Sequence, residues 1–217
     1  PEVPGFDLAF WMLTATEVGG DYVDLRTGDE RTLIAVGDAT SHGLQAGMVV
    51  AVAKSLFQGG GADASPAEVL RRVDAGLQAM HERHASMAMV VVSVDGSRLQ
   101  VASAAMPPLL LRRAASNMVE EILLPGVPLG TLGGATYPVR ELVVAHGDVV
   151  LMVTDGVVEA VGADGEPFGY DRVRAFLHRG TTGTAEEIVA GLVAEVTAFV
   201  SGRPLADDLT VLVMIVR

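Results

Sequence analysis

"DYVDLRTGDERTLIAVGDATSHGLQAGMVVAVAKSLF", residues Asp21 to Phe57, is the stretch whose reading decides the fold. Asp21–Thr27 and Arg31–Asp38 are both rich in β-formers, and "GDE" between them reads as a hairpin turn. Strands joined this tightly run antiparallel, because parallel neighbours need a crossover of a dozen residues or more. The second run stops at Gly37-Asp38. After His42-Gly43, Leu44–Phe57 is apolar nearly all round and reads as a buried helix. The carboxylate of Asp38 therefore stands at a strand end, just ahead of a helix.

The same scheme extends in both directions. Phe6–Thr14 reads as a first strand. Ser65, Pro66 and Glu68 form a capping box with proline in the first turn, a clear helix start. Ser86–Arg113 holds two β-rich runs around Asp95-Gly96, the second broken by Pro107-Pro108. Thr136–Gly156 reads as another strand, turn and strand around His146-Gly147-Asp148. A second capping box, Thr184 with Glu187, opens the helix that follows, and the chain closes on a β-run from Leu209. Strands outnumber helices, hairpins join them, and the helices fall into two blocks. This argues for an α+β fold with largely antiparallel sheets, not a doubly wound one. Ten or so strands are too many for one small open sheet, so two packed sheets with helices outside are expected. No repeat or long linker appears, and residues 1–217 read as one domain.

Composition excludes several chemistries. The 217 residues carry a net charge of −12, a poor match for phosphate backbones or anionic lipid heads, so neither nucleic acid nor direct membrane contact is expected. There is no cysteine, which removes disulfides, thiolate zinc sites and every thiol nucleophile. No apolar run reaches the length of a membrane span. These features suit a cytoplasmic location. The chain starts at Pro1, which reads as a piece of a longer protein.

Four places put a carboxylate at the end of a β-type run: Asp21 after Gly19-Gly20, Asp38, Asp155 before Gly156, and Asp207-Asp208 before the last strand. Each alone is a good turn residue. Turns accept Asn, Ser and Gly as readily, yet all four use Asp. Sheets gather strand ends, and clustered carboxylates repel unless cations sit among them. All-oxygen donors suit hard divalent ions such as Mg2+ or Mn2+. Two such ions can activate water and neutralise a phosphoryl group.

"TEVGGDYVDL", "AVGDATSHGLQAGM", "ASAAMPPLLL", "PGVPLGTL", "LMVTDGVVEA" and "ADDLTVLVMI" follow one another in this order. Together they resemble the bacterial metal-dependent (PPM) protein phosphatases, in the branch of the sporulation stage II E phosphatase and the sigma-factor regulators. The resemblance implies a four-layer αββα sandwich and a Mn2+- or Mg2+-dependent phosphoserine/phosphothreonine phosphatase with two ions. It implies that Asp38 bridges the metals, that Asp21 and the Ala39 carbonyl serve one, and that Asp155 and Asp207 serve the other. Asp208 is the less certain member of its pair, since strand alternation points it away from its neighbour. The implied substrate is a phosphorylated regulatory protein such as an anti-sigma factor antagonist. The resemblance also leaves room for an upstream sensor domain and a dimer. The rival reading is a degenerate phosphatase domain retained as a binding module.

His42, four residues after Asp38, is a candidate to protonate the leaving alkoxide, with a helix cap as its plain alternative. Two departures from the family pattern stand out. Ala105-Met106 replaces a glycine-histidine pair common among relatives, and a thioether cannot carry a proton, so this segment reads as structural. Thr40-Ser41 replaces a small-residue and glycine pair, and both hydroxyls are expected to line the site. Asp24 falls on the opposite pleat from Asp21 and is not expected among the ligands.

Overall fold

The structure, a computed structural model, describes residues 3–29, 31–40, 43–61, 63–82, 85–179 and 183–217. The chain forms two compact units, each assembled from separated segments. A central unit holds Thr16–Met106 and Leu124–Val144. A terminal unit holds Pro1–Ala15, Pro107–Leu123 and Ala145–Arg217.

The central unit is built on a five-stranded antiparallel sheet. Its strands are β2 (Asp21–Thr27), β3 (Thr32–Ala39), β4 (Met87–Asp95), β5 (Arg98–Ala104) and β8 (Arg140–Val143), in that spatial order. The β2–β3 hairpin stands as read, with Thr27 opposite Thr32 and Asp21 opposite Asp38. Helices α1 (Leu44–Gln58) and α2 (Pro66–Ala79) cover one face. Alternate strand residues, among them Leu33, Ala35, Met87, Met89 and Val91, pack there with Val49, Ala53 and Phe57 of α1 and Leu70, Val73 and Leu77 of α2.

Helix α1 is less enclosed than its composition suggests. Only Ala46, Val49, Ala53 and Phe57 are buried, while Leu44 is 77% and Met48 47% exposed. Its Ala, Val and Met content hides a one-sided helix, because no charged residue marks the outer face until Lys54. Helix α2 starts on the expected box: the Ser65 hydroxyl accepts from the Glu68 amide, and the Glu68 carboxylate accepts from the Ser65 amide at 2.7 Å. Its buried Asp74 accepts from the Gly130 amide at 2.7 Å and from Gln78 at 2.9 Å, fastening the "PGVPLGTL" loop to the helix.

The terminal unit carries the second antiparallel sheet, in the order β1 (Phe6–Leu13), β10 (Leu209–Val216), β9 (Val149–Val153), β6 (Leu109–Arg112) and β7 (Val119–Ile122). The one-turn helix α3 (Asp155–Glu159), with α4 (Gly169–His178) and α5 (Ala185–Val200), packs on it through Val157, Phe168, Val173, Leu192 and Val196. The Thr184–Glu187 capping box is formed at α5. Phe6 pairs with Val216, and the Arg217 amide donates to the Gly5 carbonyl at 2.8 Å, so the first and last strands lie side by side.

Ten strands are present among the described residues, in two antiparallel five-stranded sheets, as an α+β reading requires. One hairpin reading fails. β8 and β9 flank His146-Gly147-Asp148 but join different sheets, β8 on β5 and β9 on β10 and β6. The reason is the buried Asp148. Its carboxylate accepts from the Ala145 and Ala114 amides and pairs with Arg113 at 3.1 Å, which ties the turn to the end of β6 rather than folding β9 back on β8. The Pro107-Pro108 break lies where the backbone passes from the central to the terminal unit. Among the described residues, no helix is long and apolar enough to cross a membrane.

Candidate functional site

In the central unit the β2–β3 register places Asp21 directly opposite Asp38. Directly opposed residues share one face, so two carboxylates meet at one position, an arrangement that costs stability unless a cation shares them. Asp21 is buried and Asp38 half-buried. Gly20 precedes them for a steric reason. A Cβ there would meet the Ala39 carbonyl oxygen at 2.7 Å and the Asp38 Oδ1 at 3.3 Å. The Gly20 carbonyl also accepts from the Ala39 amide at 3.0 Å, holding the Ala39 peptide beside both acids. Asp38, Asp21 and the Ala39 carbonyl thus form one compact group of oxygen donors.

Asp24 lies on the other pleat with Tyr22. It accepts from the Tyr22 hydroxyl at 2.9 Å, from Gln58 at 2.8 Å and from Lys54 at 3.3 Å. Burial and then the charge of Asp24 push the Tyr22 hydroxyl far up. Asp24 therefore binds β2 to α1. The Thr40 hydroxyl donates to the Ser86 carbonyl at 2.8 Å. Ser41 and His42 lie outside the described residues.

In the terminal unit, Asp155 is the first residue of α3 rather than the last of a strand. Thr154 precedes it, fully buried, and its hydroxyl accepts from the Thr210 amide at 3.0 Å, anchoring α3 to β10. Gly156 then presses on the next acids: a Cβ would stand 2.0 Å from the Asp208 carbonyl oxygen. This contact brings Asp155 beside Asp207. Burial first, then the charges of Asp155 and Asp208, raise the Asp207 carboxyl above its ordinary value, against the bond it accepts from the Asp208 amide at 2.8 Å. Asp208 is buried, and its Oδ1 accepts from the Ala15 amide at 2.7 Å. One oxygen of each acid is thus bonded to a backbone amide, but Asp208 is buried and Asp207 exposed, so Asp207 is the more accessible of the two.

Among the described residues no three histidine or carboxylate side chains stand close enough to cage an ion as they lie. The donors come as pairs, Asp21 with Asp38 and Asp155 with Asp207. The donor chemistry fits hard divalent cations: all oxygen, anionic, with mutual repulsion that a cation relieves. In the Ala105-Met106 segment, Ala105 adopts φ +60°, a left-handed conformation that glycine adopts most readily. Met106 is buried, and its amide donates to the Ser103 hydroxyl at 3.3 Å. Sequence reasoning missed Tyr170, whose hydroxyl is raised by burial and then by the charges of Asp155 and Glu159. Nothing in "PFGYDR" marks a tyrosine for that neighbourhood.

Residues 28–217 match the model of the family described as stage II sporulation protein E (SpoIIE). Solved structures agree on the fold. The SiaA PP2C domain of Pseudomonas aeruginosa superimposes with a TM-score of 0.82 at 23% identity, over 96% of this chain and 85% of that one. The RsbU and RsbW domains of Rv1364c from Mycobacterium tuberculosis give 0.79 at 27% identity, over all of this chain and 61% of theirs. RsbX in complex with magnesium gives 0.73 at 16% identity, over 100% of this chain and 98% of that one. Two antiparallel sheets with helices, a fold shared with PP2C domains, and a family match over most of the sequence lead to one assignment: the chain belongs to the SpoIIE family of PP2C-type phosphatase domains.

Proposed function

We propose that this chain is a divalent-metal-dependent phosphoprotein phosphatase acting on phosphoserine or phosphothreonine of a bacterial regulatory protein. The observation that carries the reading is the opposed pair Asp21 and Asp38, with the Ala39 carbonyl held beside it by the Gly20 contact. These groups would hold a divalent cation in the central unit, and Asp155 with Asp207 would hold one in the terminal unit. Bound Mn2+ or Mg2+ supplies Lewis acidity, lowering the pKa of water and neutralising phosphoryl charge.

The chain's own residues do the rest. Gly20 lets the backbone ahead of Asp21 come close to the Ala39 carbonyl and to Asp38. Thr154 and Gly156 fix Asp155 against the Asp207-Asp208 turn, and Asp208 secures that turn to Ala15. His42, adjacent in sequence to the Asp38 loop, is the proposed proton donor to the leaving alkoxide. A covalent phosphocysteine route is excluded, because the chain has no cysteine. Magnesium in the RsbX structure supports the choice of cation, and the RsbU–RsbW pairing supports an anti-sigma factor antagonist or similar regulator as substrate.

The test is phosphate release from p-nitrophenyl phosphate and a phosphoserine peptide, with Mn2+, Mg2+ or EDTA. Turnover is expected with either metal and none in EDTA. Asp38→Asn is expected to lower kcat on the order of 10³-fold, the scale of losing a main electrostatic contributor. No turnover of either substrate together with no Mn2+ binding by calorimetry would defeat the enzyme reading and leave the binding-module one, whereas tight Mn2+ binding without turnover would mark a phosphatase held inactive.

A further inference from the structure

A cleft of about 720 Å3 opens beside Asp207, walled entirely by residues of the terminal unit. Its lining comes from α3 and the two residues after it, from the end of α5, from the 201–208 loop and from the first residue of β10. It is of the size that takes a drug-sized ligand or several side chains, well beyond a single water or ion. The walls are largely apolar, with Val161, Val200 and Leu205 among them, and Val161 is 40% exposed. Glu159 and Asp207 contribute acids. Among the described residues that line the cleft, Arg203 is the only cation.

Arg203 is also positioned. Its Nη2 donates to the Ala163 carbonyl at 3.1 Å, which braces the guanidinium against the turn after α3. That bond uses one of five N–H donors in a planar fork suited to carboxylates. Arg203 shares the cleft wall with the proposed metal ligand Asp207, in a chain of net charge −12.

We propose that this cleft docks the polypeptide flanking the phosphorylated residue: an apolar side chain of the substrate enters between Val161, Val200 and Leu205, and a nearby carboxylate of the substrate pairs with Arg203. The cleft is continuous with Asp207, so a peptide whose phosphate is at the metal ligands has its neighbours within reach of this wall. The proposal rests on the phosphatase reading and adds to it a substrate class, a phosphoserine or phosphothreonine flanked by apolar and acidic residues.

The experiment uses the Mn2+-loaded chain and three probes. One is a phosphoserine heptapeptide with Leu and Glu on both sides of the phosphoserine, one has Gly and Lys in their place, and one is p-nitrophenyl phosphate. The overall field of an acidic protein favours the lysine peptide. The proposal expects the opposite, about a ten-fold higher kcat/KM for the Leu/Glu peptide, carried in KM. Arg203→Ala is expected to lower the peptide-to-ester ratio of kcat/KM about ten-fold, Arg203→Lys to restore part of it, and Val161→Glu to lower it again. Equal turnover of both peptides, or a ratio untouched by Arg203→Ala and Val161→Glu, overturns the docking site. If wild type releases phosphate from no probe, the phosphatase reading gains no support from turnover, and calorimetry with the Leu/Glu peptide still decides the cleft. Binding weakened by Arg203→Ala upholds it, and equal binding overturns it.

Discussion

At Asp207 the local environment works against the residue's own charge. Burial and the charges of Asp155 and Asp208 raise its carboxyl above the ordinary value. A carboxyl that holds its proton more tightly in the folded than in the unfolded chain weakens the fold as pH rises through its folded pKa. Below the ordinary carboxylate range it is protonated in both states and contributes nothing. In the metal-free protein, Asp207→Asn is therefore expected to melt higher than wild type at pH 7, and the gap to close as pH falls below about 4. The amide keeps an oxygen for the Asp208 N–H, so the bond at 2.8 Å survives the change. Thermal melts across pH in EDTA check this; a lower melting temperature for Asp207→Asn at pH 7 would contradict it. The acids themselves were legible in the sequence, since each ends an apolar run beside small residues. Their supports were less so: "TDG" gives no hint that Thr154 bonds β10 or that Gly156 is pressed on the Asp208 carbonyl, because both facts depend on a strand more than 50 residues away.

At the scale of elements, local chemistry was the more readable part. Both capping boxes were visible as residue types at fixed spacing, and both form. Ser65→Ala removes the acceptor for the Glu68 amide and is expected to cost about 1 kcal/mol. Urea unfolding should show it as a lower midpoint with an unchanged slope. Misreadings arose where a long-range contact decides the outcome. "VVAHGDVV" has the look of a hairpin, yet the Asp148 bonds to Ala114 and Arg113 carry β9 into the other sheet. Helix α1 looked enclosed because its outer face holds Leu44 and Met48, and apolar composition does not say which face meets a partner. The short β7 was missed, since "VEEI" alternates too briefly to stand out beside longer runs.

For the molecule as a whole, strand count and hairpin connections were enough to give an α+β fold with two sheets. Membership was not derivable, because the backbone passes between the two units after Ala15, Met106, Leu123 and Val144, and only the Pro107-Pro108 break marks one of these passages in sequence. The pairing of β1 with β10 has a consequence for connectivity. With Phe6 opposite Val216 and Arg217 bonded to Gly5, the two ends of the described chain are neighbours, so their order along the polypeptide is not needed to form the sheet. A circular permutant that joins them through about five Gly/Ser residues and opens at the exposed Gly96-Ser97 turn should regain the wild-type circular dichroism spectrum and unfold cooperatively. The covalent thread could thus be cut in the middle of one sheet and closed at the edge of the other without altering which side chains meet.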